Sequence, residues 1–194
     1  MKKLFFILIL IIFTFNISFS QTQAEVKQDK KEIIEAQFNE IKALIESGNF
    51  QFEALWANPL GNDIATIGQS LLGSQGVFQG NRVNLVGNDN FVKIENKNSD
   101  IYLPYFGRVF FPKRITNESG IHYKGEIENY KVGYNEKKKV ITVKFTANSQ
   151  GDFLRFNYRI TALGATRLTV TSTNRQTISY DGKITQGSIE ITKN

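Results

Sequence analysis

From Val77 onward the apolar residues of this chain recur with a period of two. Ile141, Val143, Phe145 and Ala147 alternate with Thr142, Lys144 and Thr146. Leu154, Phe156, Tyr158 and Ile160 alternate with Arg155, Asn157, Arg159 and Thr161, and Leu168 and Val170 with Arg167, Thr169 and Thr171. Successive side chains of a strand point to opposite faces, so this spacing makes strands with one apolar face and one wet face. Polar turns separate them: Gly87 to Asn90, Asn96 to Asp100, Asn135 to Lys139, Asn148 to Asp152, and Leu163-Gly164. These connections are too short for the crossovers that parallel strands need. A sheet wetted on one face is the antiparallel kind.

The same pattern covers Val83 and Leu85, Phe91 to Glu95, and Ile127 to Tyr134 with Tyr130, Val132 and Tyr134 on one side. Ile178 and Tyr180 lead into Asp181-Gly182, a tight-hairpin signal, and Ile184, Ile189 and Ile191 follow it. Upstream, Phe50, Phe52, Ala54 and Trp56 alternate as a strand that Asn58-Pro59-Leu60-Gly61-Asn62 ends. Asp63 to Gly76 reads as an irregular connection. Before the strands, Ile34, Phe38, Ile41, Leu44 and Ile45 share one helical face. Asp29 with Glu32 resembles a capping box, and Gly48 is a natural stop, so a helix is expected from Lys30 to Ser47. The expected fold is α+β and mostly β. It is a curved, mainly antiparallel sheet, with a partly closed barrel as its limiting form, and one N-terminal helix packed on it.

The start of the chain reads as an export signal. Lys2 and Lys3 precede the apolar run Leu4 to Phe15, and Ser18-Phe19-Ser20 offers small residues for cleavage between Ser20 and Gln21. The expected organisation is a signal peptide over 1–20, a flexible mature N-terminus over 21–29, and one domain over 30–194, with its sheet body at about 49–192. The run is shorter than the roughly 20 residues that span a bilayer, so no transmembrane helix is expected once the signal is removed. The chain has no Cys. That excludes disulfides and a cleaved lipoprotein anchored through Cys, and leaves a soluble, periplasmic or secreted protein. The net charge of +6 is mild, and Lys2 and Lys3 supply part of it.

Several chemistries are excluded or poorly supported. His122 is the single histidine, which removes zinc sites built from several His or Cys ligands. No Gly-x-Ser-x-Gly elbow is present. Gly73, Gly76 and Gly80 fit neither the dinucleotide nor the P-loop pattern. The acids form no calcium-loop pattern. Lys137-Lys138-Lys139 reads as a solvated hairpin tip, so no nucleic-acid partner is expected. No metal or cofactor is expected, and no catalytic residue is assigned.

The densest knot of special residues is Leu103-Pro104-Tyr105-Phe106-Gly107-Arg108. Five of the ten residues from Tyr102 to Phe111 are aromatic. Pro104 restricts Leu103 to extended backbone, and Gly107 permits a sharp turn. Ile101 to Leu103 should enter this corner as a strand, and Arg108 to Phe111 should leave it as another. Burying one Phe-sized ring contributes roughly 1.5–3 kcal/mol, so most of the rings are expected in the core. The candidate binding residues are Tyr102, Tyr105 and Arg108. Arg175 and Tyr180 join them from a second polar-aromatic cluster, because Arg can stack on a ring or grip a carboxylate.

Three blocks carry a family resemblance: Phe50-Gln51-Phe52-Glu53-Ala54, Leu103 to Arg108, and Asn174-Arg175 with Ile178 to Gly182. Through them the stretch from Phe50 to Thr192 resembles the domain-of-unknown-function family numbered 4251. The resemblance implies an exported protein of Bacteroidota-type bacteria, some of whose relatives are lipoproteins, a subset this Cys-free chain departs from. It implies no activity. The expected function is a non-enzymatic cell-envelope module that binds an apolar small molecule or an envelope protein. The alternatives are a carboxylate-dependent envelope hydrolase and a structural surface protein without a pocket.

Overall fold

A computed structural model describes residues 26–60, 78–79, 81–111, 120–149 and 151–187, with 78–79 as backbone only. The expected signal segment with Ser20 and Gln21, the stretch Asp63 to Gly76, and Ile189 and Ile191 lie outside these residues. The chain divides into two units, Met1–Gln37 and Phe38–Asn194. The first contributes residues 26–37 of a helix, α1 (26–46), and the second carries its residues 38–46.

The helix is already formed at Val26, so Asp29 and Glu32 lie within it and do not cap its start. Val26, Lys27 and Gln28 are compatible with helix, and Gln28 hydrogen-bonds Glu32 one turn on at 3.2 Å. At the other end Gly48 adopts φ 69° and stops the helix as expected.

The second unit is a single sheet of eleven strands among the described residues. They are β1 (Asn49–Pro59), β2 (Phe78–Gln79), β3 (Arg82–Asn84), β4 (Phe91–Glu95), β5 (Asn98–Pro104) and β6 (Gly120–Glu126). After these come β7 (Glu128–Asn135), β8 (Val140–Ser149), β9 (Asp152–Thr161), β10 (Ala165–Ser172) and β11 (Ile178–Gln186). The order is β6-β5-β4-β1-β11-β10-β9-β8-β7, with β3 pairing β1 and β2. Each of these pairings is antiparallel. The two edge strands, β6 and β7, are consecutive in the chain with Ile127 alone between them. A sheet whose opposite edges are one residue apart must curl until they meet, which yields a nearly closed barrel. The Ser149 hydroxyl at the end of β8 donates to the His122 carbonyl in β6 at 3.1 Å, across the seam.

Inward-facing residues fill the barrel: Phe50 and Phe52 of β1, Val92 and Ile94 of β4, Ile101 and Leu103 of β5, Phe145 of β8, and Phe156 and Tyr158 of β9. Phe145 stacks on Phe156 with centroids 4.7 Å apart, and Phe52 meets Tyr158 edge-on at 5.8 Å. Phe38 and Ile45 of α1 are buried in this core, with Ile41 and Leu44 packed against it. Ile34 is exposed.

Several local expectations are corrected. In β1 the register shifts between Ala54 and Trp56. Ala57 therefore takes the buried position, and Trp56 turns outward beneath the Arg82 guanidinium, 4.7 Å from its ring centroid. Asp181 and Gly182 make no hairpin but run through the middle of β11. A Cβ on Gly182 would sit 1.9 Å from the Glu53 carbonyl oxygen, so glycine serves there for close backbone approach. The turn after β4 is Asn96-Lys97, with Asn96 at φ 57°, and Asn98 already begins β5. Arg108 to Phe111 is not a strand: Val109 forms one isolated bridge with Arg175. The corner's rings are not core either. Tyr102, Phe110 and Phe111 are 48%, 51% and 56% exposed, and Tyr105 and Phe106 are partly buried. The inward positions of β5 belong to Ile101 and Leu103, which leaves Tyr102 facing water.

Candidate functional site

The outer face of β4, β5 and β6 carries three rings at one level. Phe91 is opposite Tyr102, and Tyr102 is opposite His122. Tyr102 stacks on His122 with centroids 4.3 Å apart and planes 12° apart, and on Phe91 at 6.4 Å and 26°. Directly opposed side chains on one face of antiparallel strands lie close enough for this. The next level is charged: Lys93, Asp100 and Lys124 are opposed, with Lys124 Nζ 3.1 Å from Asp100.

An open groove of about 650 Å³ lies over the ladder. Phe91, Tyr102 and His122 line it together with Pro104 and Phe106 of the corner and Asn88 and Asp89 of the turn before β4. A second groove of about 500 Å³ adjoins it along the charged level and shares Asp89, Phe91 and Asp100. Asn90 is buried and holds the turn by donating to the carbonyls of Leu85 and Asn88 at 3.0 and 3.2 Å.

The candidate residues from the sequence fall into two settings. Tyr102 lines the groove. Tyr105, Arg175 and Tyr180 gather in an internal network at its end. Arg175 is buried, with Nε 3.1 Å from Asp152 Oδ2, its guanidinium 5.4 Å from the Tyr105 ring centroid, and Nη1 donating to the Gly120 carbonyl. The Tyr105 hydroxyl lies 2.8 Å from the Gln176 carbonyl and 2.9 Å from that of Arg108. The Arg108 carbonyl also accepts the Gln176 amide at 2.9 Å. The Tyr180 hydroxyl donates to the Pro104 carbonyl at 2.7 Å. Burial pushes the Tyr180 hydroxyl well above its ordinary pKa, with Tyr105 adding to the rise and Arg175 opposing it. The carbonyls held by Arg175 and Tyr180 belong to Gly120 and Pro104, both groove-lining residues. The network thus anchors the end of β5 and the start of β6, the strands that present Tyr102 and His122.

Sequence reasoning missed Phe91, Asp89, Asp100 and His122 as a group. The signal lay in alternation: Phe91 occupies the outward phase of β4 and His122 the outward phase of β6. It became usable only once the register placed them opposite Tyr102. Among the described residues no cluster of three or more His, Cys, Asp or Glu could hold a metal ion.

Residues 32–184 match the family Domain of unknown function (DUF4251). The chain belongs to this family. A solved structure of a DUF4251 family protein from Bacteroides eggerthii DSM 20697 is similar, with a TM-score of 0.53 at 15% identity over 78% of this chain and 88% of that one. That likeness concerns the fold. No curated protein matches the chain.

Proposed function

We propose that this protein is a non-enzymatic binding module of the bacterial cell envelope, and that the groove over Phe91, Tyr102 and His122 is its ligand site. The carrying observation is the stacked ladder itself. Three rings occupy the solvent side of a sheet whose inner face is already packed, and the middle ring is half exposed beneath the groove. Its volume falls within the range of small-molecule sites, which combine apolar lining with a few polar groups. Here the rings supply the apolar part, and Asn88, Asp89 and Asp100 supply acceptors. The matching ligand is an amphipathic small molecule with an apolar ring or chain on one side and hydrogen-bond donors on the other.

Export rests on Lys2-Lys3, the apolar run Leu4 to Phe15 and the small residues before Gln21. The Bacteroides source of the solved relative is in keeping with a bacterial protein. Among the described residues no helix is long and apolar enough to cross a membrane.

The test is to purify the protein from its native host, identify co-purified small molecules by mass spectrometry, and titrate them back while following backbone amide shifts by NMR. Shifts centred on Phe91, Tyr102 and His122, lost in Tyr102→Ala, are expected. If nothing co-purifies and a broad set of amphipathic fragments leaves these resonances in place, the reading fails. A second reading, a carboxylate-dependent hydrolase, is favoured by one observation: Asp89 and Asp100 line both grooves. Turnover of a bound molecule that stops in Asp89→Asn or Asp100→Asn would select it.

A further inference from the structure

The outer face of β7 to β10, away from the groove, is basic in an unusual way. Lys131, Lys144, Arg155, Arg159 and Arg167 are all exposed on it. Lys131 is directly opposite Lys144, and Arg159 directly opposite Arg167. Like charges facing each other across a ladder destabilise a sheet, and among the described residues no acid pairs with most of them. Asp181 pairs with Arg167 through Nε at 2.7 Å. Lys131, Lys144, Arg155 and Arg159 form no ion pair among the described residues. The acids bordering the patch are Asp181 on β11 and Glu128, opposite Thr146.

We propose that this face is a docking surface for an acidic polysaccharide. The charges need an anionic partner that approaches a broad, open strand surface. Neighbouring strands lie about 4.8 Å apart, and Arg155 and Arg159 are separated by about 13 Å along β9. The cations therefore form a two-dimensional array suited to repeated anionic groups. Guanidinium forks pair with carboxylates through two parallel hydrogen bonds. Between the cations lie Thr142, Asn157 and Thr169, whose hydroxyl and amide groups suit sugar hydroxyls. Other polyanions fit less well. Single strands of nucleic acid need several rings to stack on, and among the described residues the exposed face of β9 carries one, Phe153, two residues from Arg155. Peripheral membrane binding joins cations to an apolar surface that inserts into lipid, whereas polar side chains lie between these cations.

The test measures binding of the purified protein to polygalacturonate, with neutral dextran, single-stranded DNA and phosphatidylglycerol vesicles alongside. Polygalacturonate should be preferred, and its binding should weaken as salt rises. The variant Lys131→Gln/Lys144→Gln/Arg155→Gln/Arg159→Gln should bind about tenfold more weakly or worse. All four side chains are exposed, so this variant should melt no lower than the wild type. Tyr102→Ala should bind polygalacturonate unchanged, which separates this face from the groove. Absent binding at low salt, unchanged binding by the fourfold variant, or a preference for DNA or vesicles would overturn the proposal.

Discussion

Arg175 and Asp152 form a buried ion pair, Nε to Oδ2 at 3.1 Å, between the β10–β11 connection and the start of β9. Asp152 also accepts the Ser172 hydroxyl at 2.5 Å, and that hydroxyl receives the backbone amides of Asn174 and Arg175 at 2.9 Å. A buried charge stripped of its partner is costly, by about 3–5 kcal/mol. Arg175→Ala leaves the buried Asp152 carboxylate without its counter-charge, with the Ser172 hydroxyl as its remaining partner, and releases the Gly120 carbonyl. Urea unfolding should show a loss in that range, and Asp152→Ala should lose a similar amount. Adding the second substitution to the first should then cost little more. If the two losses simply add, the residues do not act as a pair.

Tyr102 and Leu103 are adjacent in β5 and face opposite ways. Leu103 is fully buried and Tyr102 is half exposed. Leu103→Ala should cost about 2–5 kcal/mol through lost burial and a residual cavity. Tyr102→Ala removes mainly its ring contacts, worth about 0.5–1.5 kcal/mol. Thermal unfolding of both variants checks the ranking. A Tyr102→Ala loss as large as that of Leu103→Ala would place the ring in the stability of the fold and remove the basis for a ligand ladder.

Tyr158 and Tyr180 are both fully buried, yet their hydroxyls differ. That of Tyr180 donates to the Pro104 carbonyl, whereas that of Tyr158 has no hydrogen-bond partner among the described residues. Removing one half of a buried bond costs about 1–3 kcal/mol, and removing an unsatisfied hydroxyl costs nothing in bonding. Tyr180→Phe should therefore destabilise by that amount, and Tyr158→Phe should leave stability unchanged or raise it. Equal losses in denaturant titrations would contradict the assignment.

The sheet was legible because alternation is a local signal: the two strands from Val140 to Thr161 lie where the pattern places them. What misled was chemistry with two local solutions. Asp-Gly suits a tight turn, but Gly182 is needed inside a strand because the Glu53 carbonyl crowds it. Trp56 continues the apolar phase of β1, but a bulge one residue earlier reverses the phase, and no residue type marks that bulge. The aromatic corner suggested a core because rings favour burial. Tyr102 nevertheless takes the outward phase between Ile101 and Leu103. The groove depends on three strands meeting in register, which spacing within a single strand does not encode.

The acid limit of stability should carry a contribution from the β10–β11 pair Arg167 and Asp181. Asp181 Oδ1 lies 2.7 Å from Arg167 Nε and Oδ2 lies 3.0 Å from Nη2, a bidentate pairing, and Asn58 donates to Oδ2 at 3.0 Å. The hydrogen bonds from Arg167 lead in holding the carboxyl below its usual range, with burial opposing them and Asn58 adding to the drop. A carboxyl depressed in the folded state adds stability above its unfolded pKa of about 3.9, and that stability disappears as pH falls through the folded value. Much of the pair is open to solvent, so the contribution is held to about 1 kcal/mol or less. Asp181→Asn should therefore lower stability at neutral pH by at most that amount and converge on the wild type below about pH 3. Arg167→Gln should behave alike, and high salt should shrink the gap. The check is urea unfolding of all three proteins from pH 2 to pH 7. A difference that persists unchanged at pH 2 would show that the carboxylate charge is not its source.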